Sequence, residues 1–188
     1  CSVVAEDMAY YASGALKKAI DCVMEFDPKA AQEVRESEDE TDKYEDMLGT
    51  YLLKLGAEPL SDAASEEVTE LLKLIGDFER IGDHAVNIIE SAEELHDKQL
   101  EFSRSAKYEL SVMTAAVGEV MDLAVKAFAE NDAQAASCVE PLEQVVDDLK
   151  NELRTRHILR MKKSECSIEA GFVWSDLLTN LELSLIHI

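Results

Sequence analysis

The sequence predicts an all-α protein made of two tandem three-helix bundles, with six helices of which the last is truncated. Apolar residues recur at the 3.6-residue spacing of a helix along almost the whole chain. Glycine and proline are scarce, seven and three in 188 residues, which disfavours a protein rich in loops or strands. The second half also echoes the first about 100 residues later, too long a period for a solenoid unit.

Six apolar stripes predict the six helices in order. They run over residues 8–26, 44–55, 68–92, 110–127, 142–153 and 168–181. The stripes include Tyr11, Tyr51, Val145, Ile168 and Phe172, which are therefore predicted to face the core.

Helix-breaking and capping residues separate these stripes. The predicted breaks are Asp27-Pro28, residues 56–61, residues 98–104, Asn131-Asp132 and residues 164–167. Pro141 lies inside the fifth stripe, and we expect it to kink or restart that helix near Glu140.

Internal similarity divides the chain into a first repeat at 1–98 and a second, incomplete repeat at 103–182. Glu38-x-x-x-Asp42 corresponds to Glu143-x-x-x-Asp147 at an offset of 105 residues, and Glu79 corresponds to Glu182 at an offset of 103. Small differences in offset belong in the loops, so duplication of a three-helix bundle explains the pattern.

Forty acidic and eighteen basic residues give a net charge of −22, which disfavours nucleic-acid binding and suits cations or a basic partner. The four cysteines, Cys1, Cys22, Cys138 and Cys166, show no Cys-x-x-Cys spacing and are expected to be free thiols in a reducing, cytoplasmic compartment. No apolar run approaches the roughly 18 residues of a membrane span. The start at Cys1, in what reads as mid-helix, suggests a fragment.

The pattern Glu-x-x-x-Asp carries the chemistry, because residues i and i+4 share one helix face and paired carboxylates repel unless a cation lies between them. It occurs as Glu38/Asp42, Glu79/Asp83 and Glu143/Asp147. Chance alone gives about eight acidic pairs at this spacing, so a solvated surface is the competing interpretation.

The predicted helix order makes the pattern more specific. Helices two and three form an antiparallel hairpin, and a rise of about 1.5 Å per residue places Glu38/Asp42 and Glu79/Asp83 within roughly 6 Å of the same height. Helical angles put them at the edge of the core, which predicts a metal site on the surface. Glu143/Asp147 and Glu182 are in similar register on the second hairpin.

One long motif resembles a known family. The run Asp77-Phe-Glu-Arg-Ile-Gly-Asp-His-Ala-Val-Asn-Ile88 is similar to the motif of the PhoU family, and 40–52 and 171–180 resemble the version fused behind sodium/phosphate cotransporters. The resemblance implies paired three-helix bundles whose Glu-x-x-x-Asp pairs bind metal ions (iron, manganese, magnesium or zinc). It implies a regulatory domain, not an enzyme, at the cytoplasmic face of the membrane.

The same resemblance implies a partner and leaves alternatives. As a cotransporter tail the chain would contact the membrane transport domain of its own protein. As a free-standing regulator it would contact a phosphate transporter, with a signalling kinase and a homodimer as further partners. The family pattern after Glu182 would continue to an aspartate at position 186, where this chain has Ile186. Residues 183–188 are therefore interpreted as a non-native tail.

A third interpretation comes from Glu93-x-x-His96, the spacing used by di-iron carboxylate oxidases. Such a site needs a second Glu-x-x-His, which this sequence lacks. His84, next to the motif aspartate, is interpreted as a structural histidine. The cationic cluster at 154–163 is explained by its place at a helix C-terminus, with an acidic partner or a membrane surface as the alternative.

Overall fold

The computed structural model describes residues 2–185, and it confirms a six-helix, all-α fold. The helices are α1 (Ser2–Met24), α2 (Pro28–Gly56), α3 (Asp62–Asp97), α4 (Arg104–Glu130), α5 (Ala133–Lys162) and α6 (Ile168–Leu183). No strand occurs between residues 2 and 185. None of the helices in this range is both long and apolar enough to cross a membrane.

Local capping explains where the helices begin. Asp27 accepts a hydrogen bond from the backbone N–H of Lys29 at 2.9 Å, and Pro28 opens α2 where no backbone donor is needed. Ser61, Ser103, Asp132 and Ser167 cap α3, α4, α5 and α6 in the same way. The breaks seen in the structure therefore agree with the sequence prediction, because each cap acts within a single turn.

The predicted restart at Pro141 does not occur, because α5 continues through it from Ala133 to Lys162, and the alternative of a kink stays a prediction. A proline within a helix removes the backbone donor for the carbonyl four residues earlier, here that of Ser137. Both residues are exposed, so water can satisfy that carbonyl and the helix tolerates the proline.

The two halves pack side by side on one continuous core. Helices α1, α2 and α3 contact one another, and α5 packs against both α4 and α6. Contacts of α1 with α4 and of α3 with α6 join the two bundles. The core includes Trp174, Met8, Met113 and Ile88, each at most 1% exposed.

Five members of the apolar stripes were wrongly predicted to face the core. Tyr11, Tyr51, Val145, Ile168 and Phe172 are 45–69% exposed. Helical period fixes the angular position of a side chain on its own helix. Whether a neighbouring helix covers that position depends on how the bundle is assembled.

The end of α6 lies partly in the segment interpreted as a non-native tail. Helix α6 ends at Leu183, and Ser184 and Leu185 are both 2% exposed. Ile186 and the two residues after it fall outside the described range. The origin of the segment and the repeat boundaries at 1–98 and 103–182 stay predictions.

Gly171 is required where α6 approaches α5. A Cβ added there would lie 2.9 Å from Nε2 of the buried His157 and 3.3 Å from Sδ of Met161. We expect Gly171→Ala to lower the free energy of unfolding by about 1 kcal/mol, because overpacking outweighs the gain in helix propensity. Gly118→Ala in α4 is the control, since its Cβ meets no atom within 4 Å. Urea unfolding should show a small stabilisation for the control, and equal effects of the two changes would contradict this account.

Candidate functional site

Carboxylates from α2 and α3 come together on the surface of the first hairpin. Burial raises the pKa of Glu79 from its ordinary value of 4.5 to about 7, assisted by the negative charges of Asp83, Glu45 and Asp42 and by a hydrogen bond with Asp83. Asp42 and Glu45 belong to α2, whereas Glu79 and Asp83 belong to α3. The two helices therefore meet in the register that the sequence predicted.

Glu38 completes this group, which we call the acidic patch and define as Glu38, Asp42, Glu45, Glu79 and Asp83. Burial raises the pKa of Glu38, followed by the charges of Asp42, Asp83 and Asp39. Glu38 and Glu79 are half-buried, and Asp42 and Asp83 are exposed. The acidic patch thus lies at the rim of the core, as the helical angles predicted.

Gly82 marks the contact between the two helices. A Cβ added at Gly82 would lie 3.6 Å from Cγ of Glu38, which is ordinary van der Waals contact. Helix α2 therefore passes directly over Gly82 at the level of the acidic patch, with room for one more methyl group. The side chain of Glu38 is brought next to the turn of α3 that carries Glu79 and Asp83.

The chemistry of the acidic patch suits a hard cation. Its donors are carboxylate oxygens, the ligands that divalent and ferric ions prefer in the absence of thiolates. Within residues 2–185, no three acidic, histidine or cysteine side chains converge closely enough to form a finished metal site. Burial is the main cause of the raised pKa values of Glu38 and Glu79, and the negative charges of Asp42 and Asp83 add to it. A cation bound among these carboxylates would relieve that added repulsion.

No described basic side chain neutralises the acidic patch. Arg80 is the nearest cation in the motif, and its Nη1 lies 3.5 Å from Oδ1 of the buried Asp77. Arg80 makes no ion pair with Glu79 or Asp83.

Glu45 was missed by the sequence analysis. It lies seven residues after Glu38 and three after Asp42, so all three share one face of α2. A search for i, i+4 and i+7 acids would have found it, whereas the four-residue motif alone does not.

The second hairpin brings Asp147 and Glu182 to one lysine, and no described ion pair or side-chain hydrogen bond joins Glu143 to them. Nζ of Lys150 lies 2.9 Å from Oε2 of Glu182 and 3.9 Å from Oδ1 of Asp147. The Oε2 atom of Glu182 has no well-directed hydrogen bond, so its contact with Lys150 is a close ion pair. Lys150 was not predicted from the sequence, because the motif used for the prediction contains only acidic residues.

The other candidate residues have structural partners. Nδ1 of His84 lies 3.0 Å from Oδ1 of Asn180, which also accepts a hydrogen bond from Asn87, so these residues connect α3 to α6. Arg35 donates two hydrogen bonds to the carboxylate of Glu93, at 2.9 and 2.7 Å. His96 packs against the Phe26 ring, and its Nδ1 lies 3.1 Å from Oδ1 of the neighbouring Asp97. This arrangement disfavours the di-iron interpretation.

Comparison with known proteins finds one sequence profile in both halves of the chain. The sequence profile described as the PhoU domain matches residues 5–92 and again residues 110–186. The phosphate-specific transport system accessory protein PhoU homolog 1 of Thermotoga maritima is 27% identical over 177 residues, covering 93% of this chain and 75% of that protein.

A solved structure agrees with the fold. The crystal structure of PhoU from Pseudomonas aeruginosa superposes with a TM-score of 0.90 at 22% identity, covering 98% of this chain and 88% of that one. At that level of identity, the superposition establishes the shared helical-bundle fold.

Proposed function

Because this chain belongs to the PhoU domain family, we propose that it is a regulator of phosphate transport whose acidic patch binds a metal ion. The observation that carries the proposal is the match of the PhoU profile to both halves, with the acidic patch on the hairpin that holds the long motif. The proposed role is regulatory and not enzymatic. The proposed location is the cytoplasmic side of a membrane that holds the transporter.

The two interpretations of the partner are not supported equally. The named relative from Thermotoga maritima is a phosphate-specific transport system accessory protein, which favours a free-standing regulator that contacts a phosphate transporter. A signalling kinase is the further partner proposed for such a regulator. The motif at 171–180 supports the second candidate, a cotransporter tail that contacts its own transport domain. Self-association as a homodimer is compatible with both.

Metal binding is tested on the acidic patch itself. We expect the wild type to bind Mn²⁺ or Fe³⁺ and to melt at a higher temperature with the ion, because only the folded chain assembles the carboxylates. The variant Glu79→Gln/Asp83→Asn should lose both effects. Metal content after dialysis and thermal melts with and without chelator measure them.

A matched control distinguishes metal binding at the acidic patch from nonspecific attraction of cations to the negative charge of the chain. Glu66→Gln/Glu70→Gln removes two exposed carboxylates at the same i, i+4 spacing on the same helix. This control should keep both the metal and the rise in melting temperature. A wild type that binds no metal, or a Glu79/Asp83 variant that binds as well as the control, would refute the proposed site.

Regulation is tested in cells that lack their own PhoU-family protein. We expect expression of the chain to reduce the uptake of radioactive phosphate under phosphate-rich conditions. The Glu79→Gln/Asp83→Asn variant should reduce it less at equal protein level. Unchanged uptake in cells that contain the folded chain would count against the regulatory role.

A further inference from the structure

We propose that Lys150 is the built-in cation of the second hairpin, so that this chain takes up metal on the first hairpin only. This inference rests on the proposed metal function of the acidic patch and adds to it. The internal repeat alone would predict a metal site on both hairpins, and Lys150 is the residue that makes the second hairpin different.

The internal repeat shows where the two hairpins diverge. At an offset of 105 residues Glu38 corresponds to Glu143 and Asp42 to Asp147, while Glu45 corresponds to Lys150. Three acids at i, i+4 and i+7 on α2 thus become two acids and an ammonium group on α5. The substitution replaces a negative charge by a positive one on the face that carries the carboxylates.

Distances and burial show that the ammonium group is placed among the carboxylates. Lys150 Nζ is 2.9 Å from Glu182 Oε2, and the two side chains are only 17% and 13% exposed. An ordinary surface pair in the same chain, Lys98–Glu94, leaves its side chains 54% and 41% exposed. Removing one member of a pair as buried as Lys150–Glu182 leaves a charge that water reaches poorly.

The ammonium group of Lys150 disfavours metal binding on the second hairpin. A lysine ammonium group is a compact cation at the end of a flexible stem, and it already supplies positive charge to Glu182 and Asp147. A metal ion would have to displace it and leave it unpaired near another cation. The first hairpin has no such residue within the described chain, because Lys43 pairs with Glu40 and Arg80 with Asp77, and neither pairs with a member of the acidic patch.

The first measurement needs no metal. In the presence of chelator, we expect Lys150→Met to lower the melting temperature by about 3 °C, a shift that corresponds to about 1 kcal/mol in a chain of this size. Lys150→Met/Glu182→Gln should recover most of this loss, and the control Lys98→Met should melt as the wild type does. A Lys150→Met variant that also melts as the wild type would overturn the proposal.

The second measurement counts metal sites by equilibrium dialysis with Mn²⁺. In the Glu79→Gln/Asp83→Asn background we expect no bound ion, and Lys150→Glu in that background should add binding that Glu143→Gln/Asp147→Asn abolishes. Binding by the background variant that depends on Glu143 and Asp147 would overturn the role of Lys150. So would a Lys150→Glu variant that stays metal-free. If the wild type binds no ion while the melting shifts are as expected, the acidic-patch proposal fails and Lys150 remains the cation of its hairpin.

Discussion

Replacing Arg160 by methionine is expected to lower the free energy of unfolding by about 3 kcal/mol, at the low end of the range for breaking a buried ion pair. Nη1 of Arg160 lies 2.6 Å from Oε2 of Glu109, and both side chains are 8% exposed. The guanidinium group also lies 5.1 Å from the centre of the Trp174 ring. Methionine fills similar volume but leaves the buried Glu109 carboxylate without this partner, and among the described residues its other basic contact is the exposed Arg156, at 3.6 Å.

Urea unfolding at neutral pH measures this effect, and a second variant tests its cause. Glu109→Gln/Arg160→Met removes both charges and should recover most of the lost stability, since no buried carboxylate is left unpaired. Arg156→Met removes a mostly exposed partner of the same carboxylate and should change little. If the double variant is as unstable as Arg160→Met, the loss comes from packing against Trp174 and not from the unpaired charge.

Glu79→Gln is expected to stabilise the metal-free protein above pH 7 by about 1–2 kcal/mol, a value reduced for the solvent that still reaches this side chain. Burial and the neighbouring carboxylates raise the pKa of Glu79 to about 7 in the folded chain, against an ordinary value of 4.5. Between pH 4.5 and about 7 the Glu79 carboxyl therefore binds a proton more readily in the folded chain than in the unfolded chain. Because of this, Glu79 lowers the stability of the wild type as pH rises from 4.5 to about 7. Glutamine cannot ionise, so its advantage appears over the same interval.

Stability curves in chelator from pH 4 to pH 8 test the prediction. The wild type and Glu79→Gln should be nearly equal at pH 4, where Glu79 is largely protonated in both the folded and unfolded chains. The difference should grow as pH rises toward 8. Glu66→Gln, on an exposed position of the same helix, should show no such growth. A wild type that is more stable than Glu79→Gln at pH 8 without metal would contradict the repulsion described for the acidic patch.

Six helices and their ends could be predicted from the sequence because their causes are local. An apolar stripe, a capping serine or aspartate, and a proline such as Pro28 act within one or two turns. The register of Glu38 and Asp42 against Glu79 and Asp83 was also predictable, since two helices joined by a short loop rise equally from it. Glu45 lies on the same face of α2, and it could have been predicted by extending the motif from position i+4 to position i+7.

Only the tertiary structure decided which charges meet and which apolar faces are covered. Arg160 reaches Glu109 across 51 residues of chain, and His84 reaches Asn180 across 96. Phe172 has the spacing of a core residue but is 69% exposed. Periodicity determines the face of a helix on which a side chain lies, whereas burial and charge pairing depend on the distance between helices. For that reason Lys150 looks like an ordinary surface lysine in the sequence and like a counter-ion in the fold.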